Sequence, residues 1–177
     1  GCAGFIGYHL CKKFIPISTQ LIGIDNLNNY YDKKLKLDRL NKLKSSLNIT
    51  KHNWNFIECD ICDNDNLKII FSKFKPKIVI HLAAQAGVRY SLLNPNIYIK
   101  TNLIGFSNLL ESIRNNEIEN FLYASSSSVY GGNEKLPFSE TDSVDHPVSL
   151  YAASKKSNEL MAHTYSHLYK LPSTGLR

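Results

Sequence analysis

Tyr123-Ala-Ser-Ser-Ser-Ser-Val-Tyr130-Gly131 leads through a polar, Pro-punctuated loop into Ser149-Leu-Tyr151-Ala-Ala-Ser-Lys155. The apolar start, Phe121-Leu122-Tyr123-Ala124, is expected to be a strand that ends at the serines. In open α/β sheets, ligands bind outside such strand ends. Tyr151 and Lys155 are four residues apart, so a helix opening at Tyr151 projects both side chains from one face. That pairing has a chemical use. A phenol titrates near pH 10 and is a poor base at neutrality. A neighbouring ammonium favours the phenolate and brings it toward the range where general bases work. A Tyr and a Lys at helical spacing also occur by chance on ordinary surface helices, and Ser-rich segments are commonly loops. The rest of the chain therefore has to supply the context.

Upstream, Gly1, Gly4 and Gly7 punctuate Gly1-Cys-Ala-Gly-Phe-Ile-Gly7, ahead of a helix expected over Tyr8 to Ile15. A glycine-rich turn lets the backbone approach a pyrophosphate while the helix presents its first N–H groups to it. Gln20-Leu-Ile-Gly-Ile-Asp25 is expected to be a short strand ending in an acid, 18 residues after Gly7. A carboxylate at about that distance suits the hydroxyls of an adenosine ribose. The alternative is that Asp25-Asn26 merely makes a turn.

Trp54 to Cys59 is a second expected strand, followed by a helix from Asn66 to Phe74 stopped by Pro76. Lys77 to Ala84 has the continuous apolar character of a strand buried on both faces, with His81 inside it as a core residue. A long helix after Pro95 carries Ile97, Ile104, Leu109, Leu110 and Ile113 as its apolar positions, with Asn102 among them. The Tyr151 helix runs to about Tyr169, and a last strand begins at Pro172. Short apolar runs alternating with longer helical segments specify βαβ units and a parallel sheet.

Composition excludes several classes. With 177 residues, 43% hydrophobic and 20% charged, the chain can bury a sizeable core. No apolar run reaches the roughly 18 residues of a membrane span, so neither a membrane partner nor a secretory context is expected. The net charge of +6 is concentrated in Lys33, Lys34, Lys36, Arg39, Lys42 and Lys44. Leu37, Leu40, Leu43 and Leu47 recur among them, giving an amphipathic surface helix with a solvated basic face. No zinc-finger spacing or aromatic RNA-binding motif accompanies that charge, so no nucleic-acid partner is expected. Cys59 and Cys62 form a CxxC without a second ligand pair. With Cys2 and Cys11 they are expected to be reduced structural thiols, with no metal bound, as in a cytoplasmic protein. The chain begins inside the glycine turn and ends within an expected strand, as a fragment of a longer protein would.

Four signals thus stand in order: GxxGxxG, a strand-end Asp, serines after a later strand, and YxxxK. Together they resemble the extended short-chain dehydrogenase/reductases, the NAD-dependent nucleotide-sugar epimerases and dehydratases, over essentially all 177 residues. The stretches from Asp25 to Lys36, His81 to Pro95 and Asn102 to Glu111 resemble the UDP-glucuronate 4-epimerase subgroup. The resemblance implies a Rossmann-like, doubly wound parallel sheet. Residues 1–177 would form a partial NAD-binding domain, lacking the first strand and the C-terminal substrate region.

It also implies roles. Gly1, Gly4, Phe5, Ile6 and Gly7 match the pyrophosphate turn, Asp25 and Asn26 the adenosine-ribose contacts, and Asp60 and Ile61 the adenine contacts. Leu82, Ala83, Ala84, Ala86 and Asn102 match positions lining NAD. Ser126, Tyr151 and Lys155 match the catalytic trio, Tyr151 and Lys155 also touching cofactor. Arg89 and Ser126, Ser127 and Ser128 are candidate sugar contacts beside Tyr151. In the related dehydratases both residues after the catalytic Ser or Thr are acidic, and the decarboxylases keep a Glu at the second. Here both are serine, Ser127 and Ser128. The implied activity is a UDP-sugar 4-epimerase, homodimeric when full length. The alternatives are a dehydratase or decarboxylase of the same fold, or a non-catalytic nucleotide-binding protein.

Overall fold

The computed structural model describes residues 1–45 and 54–177. The chain divides into two compact units, Gly1–Asp60 and Ile61–Arg177. Both are α/β with parallel strands.

In the first unit, helix α1 (Phe5–Phe14) precedes strand β1 (Leu21–Asp25), followed by α2 (Lys33–Ser45) and β2 (Trp54–Glu58). β1 and β2 pair in parallel, with Asp25 opposite Glu58. The helix starts at Phe5 rather than Tyr8 because Gly4, in extended conformation, already serves as its N-cap. Cys2, Ala3, Cys11, Ile15, Leu27, Leu40 and Leu43 make the core, with Trp54 and Phe56 packed on it. The α2 expectation needs correcting. Leu40 and Leu43 are buried, but Leu37 is 42% exposed and Lys36 only 4%. Positions 36, 40 and 43 share one helix face, and Lys36 lies on it because Asn28 and Asp25 receive its ammonium there. Lys33, Lys34, Lys42 and Lys44 form the exposed basic side. Leu47 lies outside the described residues.

The second unit runs α3 (Asn64–Phe74), β3 (Ile78–His81), α4 (Tyr90–Leu93), α5 (Pro95–Tyr98), a π-helical segment (Ile99–Ile104), α6 (Gly105–Arg114), β4 (Asn120–Ala124), a 3-10 turn (Ser127–Tyr130), α7 (Leu150–Tyr169) and β5 (Ser173–Leu176). Its sheet has the order β3-β4-β5, all parallel. Asp63 caps α3 by accepting from the Asn66 amide, which moves the start to Asn64. Lys75, left-handed at φ 42°, ends that helix ahead of Pro76.

Two expectations fail locally. The strand expected over 77–84 closes at His81, and its first residue, Ile78, is 57% exposed. β3 pairs with β4 only from Ile78 to His81, so the strand ends where that ladder ends. The helix after Pro95 is interrupted by the π-helical turn. The wider turn shifts the phase of the apolar face, so Leu109, Leu110 and Ile113 are buried while Ile97 and Ile104 are exposed. Phe106 is the hub of the core. Its ring lies 5.3 Å from that of His81, 6.0 Å from Phe121 and 5.6 Å from Tyr123. Burying an aromatic of this size contributes about 1.5–3 kcal/mol.

Candidate active site

Each unit carries one cluster of the expected site residues. In the first, Gly7 tolerates no side chain. A Cβ there would stand 2.1 Å from the Gly1 carbonyl oxygen and 2.8 Å from the Cys2 Cα. Gly4 caps α1 without a side-chain acceptor, so the first N–H groups of the helix are left to an external partner. Phe5 and Ile6 are exposed over the turn. A small anion with room only against backbone fits such a cradle.

Beside it, Asp25 is buried. One carboxylate oxygen accepts from Ala3 N at 3.1 Å, the other from Leu27 N at 2.9 Å. The Lys36 ammonium stands 3.8 Å away and also donates to Asn28 Oδ1 at 2.8 Å. Burial pushes the Lys36 pKa down, while Asp25 pulls it up. Asn26 donates to Asp60 at 2.9 Å, and Cys59 N to the Asp25 carbonyl at 3.1 Å, so the ends of β1 and β2 are stitched together. Arg39 donates to the Ala3 carbonyl and to Tyr31 Oη, both at 3.1 Å. Neither Lys36 nor Arg39 stood out within the run of lysines around them. All four cysteines are thiols. Burial pushes Cys2 up to about 12 and Cys11 up to about 11, which leaves both unreactive.

In the second unit, β4 ends at Ala124 and the serines follow. Ser126 Oγ accepts from Ser128 N at 3.1 Å, capping the 3-10 turn, and donates to Ser128 Oγ at 3.0 Å. Ser127 is exposed. Ser149 caps α7 by accepting from Ala152 N at 3.1 Å. This fixes the first turn of the helix, on which Tyr151 is half-buried. Lys155 is buried, and its Nζ donates to the Ala124 carbonyl at 2.8 Å. Burial pushes Lys155 down to about 8, so it is still mostly protonated at pH 7. One helix face therefore carries Tyr151 and a buried cation whose anchor is the residue before the serines.

Behind Tyr151 stands one residue the sequence did not mark, and several that it did. Tyr98 packs edge-on against it with ring centroids 6.2 Å apart, and its hydroxyl bonds the Ala86 and Gly87 carbonyls at 2.7 and 2.6 Å. Asn102 holds both sides of the Gln85 backbone, accepting from its N–H at 2.8 Å and donating to its C=O at 3.1 Å. Its second amide hydrogen reaches Ser154 Oγ at 2.9 Å. Both N–H groups of Asn102 are thus taken by the chain itself. Leu82, Ala83 and Ala84 continue from β3 half-buried, and Ala86 is exposed. Arg89 is exposed at the start of the four-residue α4. Ile61 is buried, its carbonyl accepting from Asn108 at 3.2 Å.

The sequence profile of the GDP-mannose 4,6 dehydratase family matches residues 1–177. This chain belongs to that family. It is 55% identical to protein CapI of Staphylococcus aureus over the whole chain, which covers 51% of CapI. It is 45% identical to a probable UDP-glucuronate 4-epimerase of Rhizobium meliloti, again over the whole chain and 50% of that protein. Among solved structures, the Bacillus cereus UDP-glucuronic acid 4-epimerase in complex with UDP-glucuronic acid and NAD superposes with a TM-score of 0.87 at 32% identity. The match covers all of this chain and 54% of that one. The family is that of the extended short-chain dehydrogenase/reductases, as the motifs imply, and the fold is Rossmann-like. The chain spans about half the length of the curated relatives it matches.

Proposed function

We propose that the whole protein is an NAD-dependent nucleotide-sugar 4-epimerase interconverting UDP-glucuronate and UDP-galacturonate. The observation that carries this is the serine turn. Ser126 opens it, Tyr151 and Lys155 stand on the helix anchored behind it, and Ser127 and Ser128 offer hydroxyls where an eliminating or decarboxylating enzyme needs carboxyl groups. Similarity to relatives whose names carry UDP-glucuronate 4-epimerase supports the choice of sugar.

The first unit fits the cofactor's phosphate and adenosine. The start of α1, which no side chain caps, and the Gly7 cradle accept a pyrophosphate against backbone. The Asp25 carboxylate keeps lone pairs for ribose hydroxyls after accepting its two amides. When bound, NAD supplies a hydride acceptor that returns the hydride in the same turnover. Tyr151, as phenolate, takes the proton of the sugar 4-hydroxyl. Lys155 stabilises that phenolate by its charge and can donate to the nicotinamide ribose. Ser126 donates to the same sugar oxygen. Neither Ser127 nor Ser128 is acidic or basic enough at neutral pH to expel water from the ring, so the 4-keto sugar is returned to the alcohol, from either face.

The test is mass spectrometry of the product made from UDP-glucuronate and NAD. An epimer of unchanged mass, with no net NADH and no CO₂, is expected. A lighter sugar as the main product would overturn the epimerase assignment in favour of dehydration or decarboxylation.

A further inference from the structure

Helix α7 carries a third group on the face of Tyr151 and Lys155. Glu159 lies one further turn along, four residues after Lys155 and eight after Tyr151. Its carboxylate accepts from Ser125 Oγ at 2.5 Å. Ser125 is the residue between Ala124, which Lys155 holds by its carbonyl, and Ser126. Two successive turns of one helix thus grip two successive residues at the end of β4, immediately before the catalytic serine. The Ser125 backbone is tied as well, its N–H donating to the Leu176 carbonyl on β5 at 2.7 Å.

Glu159 is itself held. Arg177 reaches it through two nitrogens, Nε at 3.0 Å and Nη2 at 2.9 Å. The guanidinium also lies 5.2 Å over the ring of Tyr130, the last residue of the serine turn. The Glu159 side chain is 14% exposed and that of Arg177 23%. Burial raises the Glu159 pKa, but the bonds from Arg177 and Ser125 outweigh it and hold it below the usual carboxylate range. A charged acceptor with a fixed orientation is what a positioning bond needs.

We infer that Glu159 is a positioning residue. Braced by Arg177, it fixes Ser125 and thereby sets the Ser126 hydroxyl in register with Tyr151 and Lys155 on the same helix. This goes beyond the epimerase assignment and rests on it only where turnover is the readout.

The test uses the whole protein with Glu159→Gln, which keeps shape and an acceptor but loses charge, and Ser125→Ala, which removes only the donor. The first readout needs no sugar. The Ser128 amide, which bonds Ser126 Oγ, should exchange about tenfold faster in both variants, with α1 amides unchanged. Unaltered Ser128 protection in both variants overturns the inference. The second readout is kinetic. Glu159→Gln should lower kcat about tenfold at nearly constant KM. In a Ser126→Ala background the same change should cost less than about twofold, because its effect passes through that hydroxyl. An equal loss in both backgrounds overturns the inference. If the unsubstituted protein makes no epimer, the proposed function fails instead, and amide exchange alone decides the role of Glu159. Should Glu159→Gln not fold, Ser125→Ala carries both readouts.

Discussion

The two units build their candidate sites in opposite ways. The first unit works with backbone. Its Gly7 excludes a side chain, the start of α1 has no side-chain cap, and its buried acid, Asp25, is paired with Lys36 and already accepts two amides. The second unit works with side chains. Tyr151 and Lys155 depend on neighbours reached across the fold, Tyr98 and the Ala124 carbonyl, while Ser126 is held within its own turn by Ser128. Its buried bases, Lys155 and His81, meet a carbonyl and an aromatic ring. A site built from backbone tolerates change around it and fails only where a Cβ intrudes. A site built from side chains fails when a single atom is removed.

The largest expected effect is in the second unit. Tyr151→Phe keeps the ring and its edge-on packing against Tyr98 and removes only the oxygen proposed as acid and base. Turnover of UDP-glucuronate should fall by about 10³-fold or more, since general acid–base groups contribute about 10²–10⁴. NAD affinity, measured by titration calorimetry, should stay within about threefold. A variant that retains more than a few per cent of the rate makes another group the base. Loss of NAD binding along with the rate would mean that the two clusters are not separable as described.

The middle effect is in the first unit. NAD should bind more tightly than NADP, because a 2′-phosphate would meet the buried Asp25 carboxylate. Asp25→Asn keeps an acceptor and removes the charge, while Lys36 and Arg39 remain beside the turn. The preference for NAD should shrink by about tenfold, equivalent to about 1.4 kcal/mol, read from the two dissociation constants. Equal affinity of the unsubstituted protein for both cofactors removes Asp25 from its assigned role.

The same contrast explains what could be read from the sequence. Glycine spacing and a strand-end acid are local signals, and β1, β4 and α7 lie within a residue of where hydrophobic pattern and turn chemistry put them. YxxxK is equally local. What supports it is not. Lys155 to Ala124, Asn102 to Ser154 and Ser125 to Glu159 join residues 31 to 52 apart, and no local pattern records such a pairing. Glu159 alone had a signal, since the spacing that links Tyr151 to Lys155 extends one turn to it. The burial of Lys36 and exposure of Leu37 escaped for a different reason. A helix made almost wholly of lysine and leucine does not show which lysine has a buried partner.

The smallest effect concerns the buried bases and separates the units by pH. Burial pushes His81 well below 6.5, with the Lys155 charge adding to it. As pH falls below about 6.5, the unfolded chain takes up a proton on this residue and the folded chain does not, so stability declines in that window. The sign is the same for Lys155 in a higher window. Its folded value is about 8 against an ordinary 10.5, so between them the unfolded chain binds the extra proton and stability rises with pH. In the first unit Lys36 is also pushed down by burial, but Asp25 opposes the shift, so its contribution in the upper window is smaller. Replacing His81 with Leu removes the titrating ring and keeps an apolar side chain against Phe106. The acid limb of a denaturant-midpoint profile below pH 6.5 should then flatten by up to one proton's slope, about 1.4 kcal/mol per pH unit, while the limb between about 8 and 10.5 stays. An unchanged acid limb would mean that His81 takes its proton in the folded state after all. A limb that flattens at both ends would mean that His81 and Lys155 titrate as one pair rather than as separate buried bases.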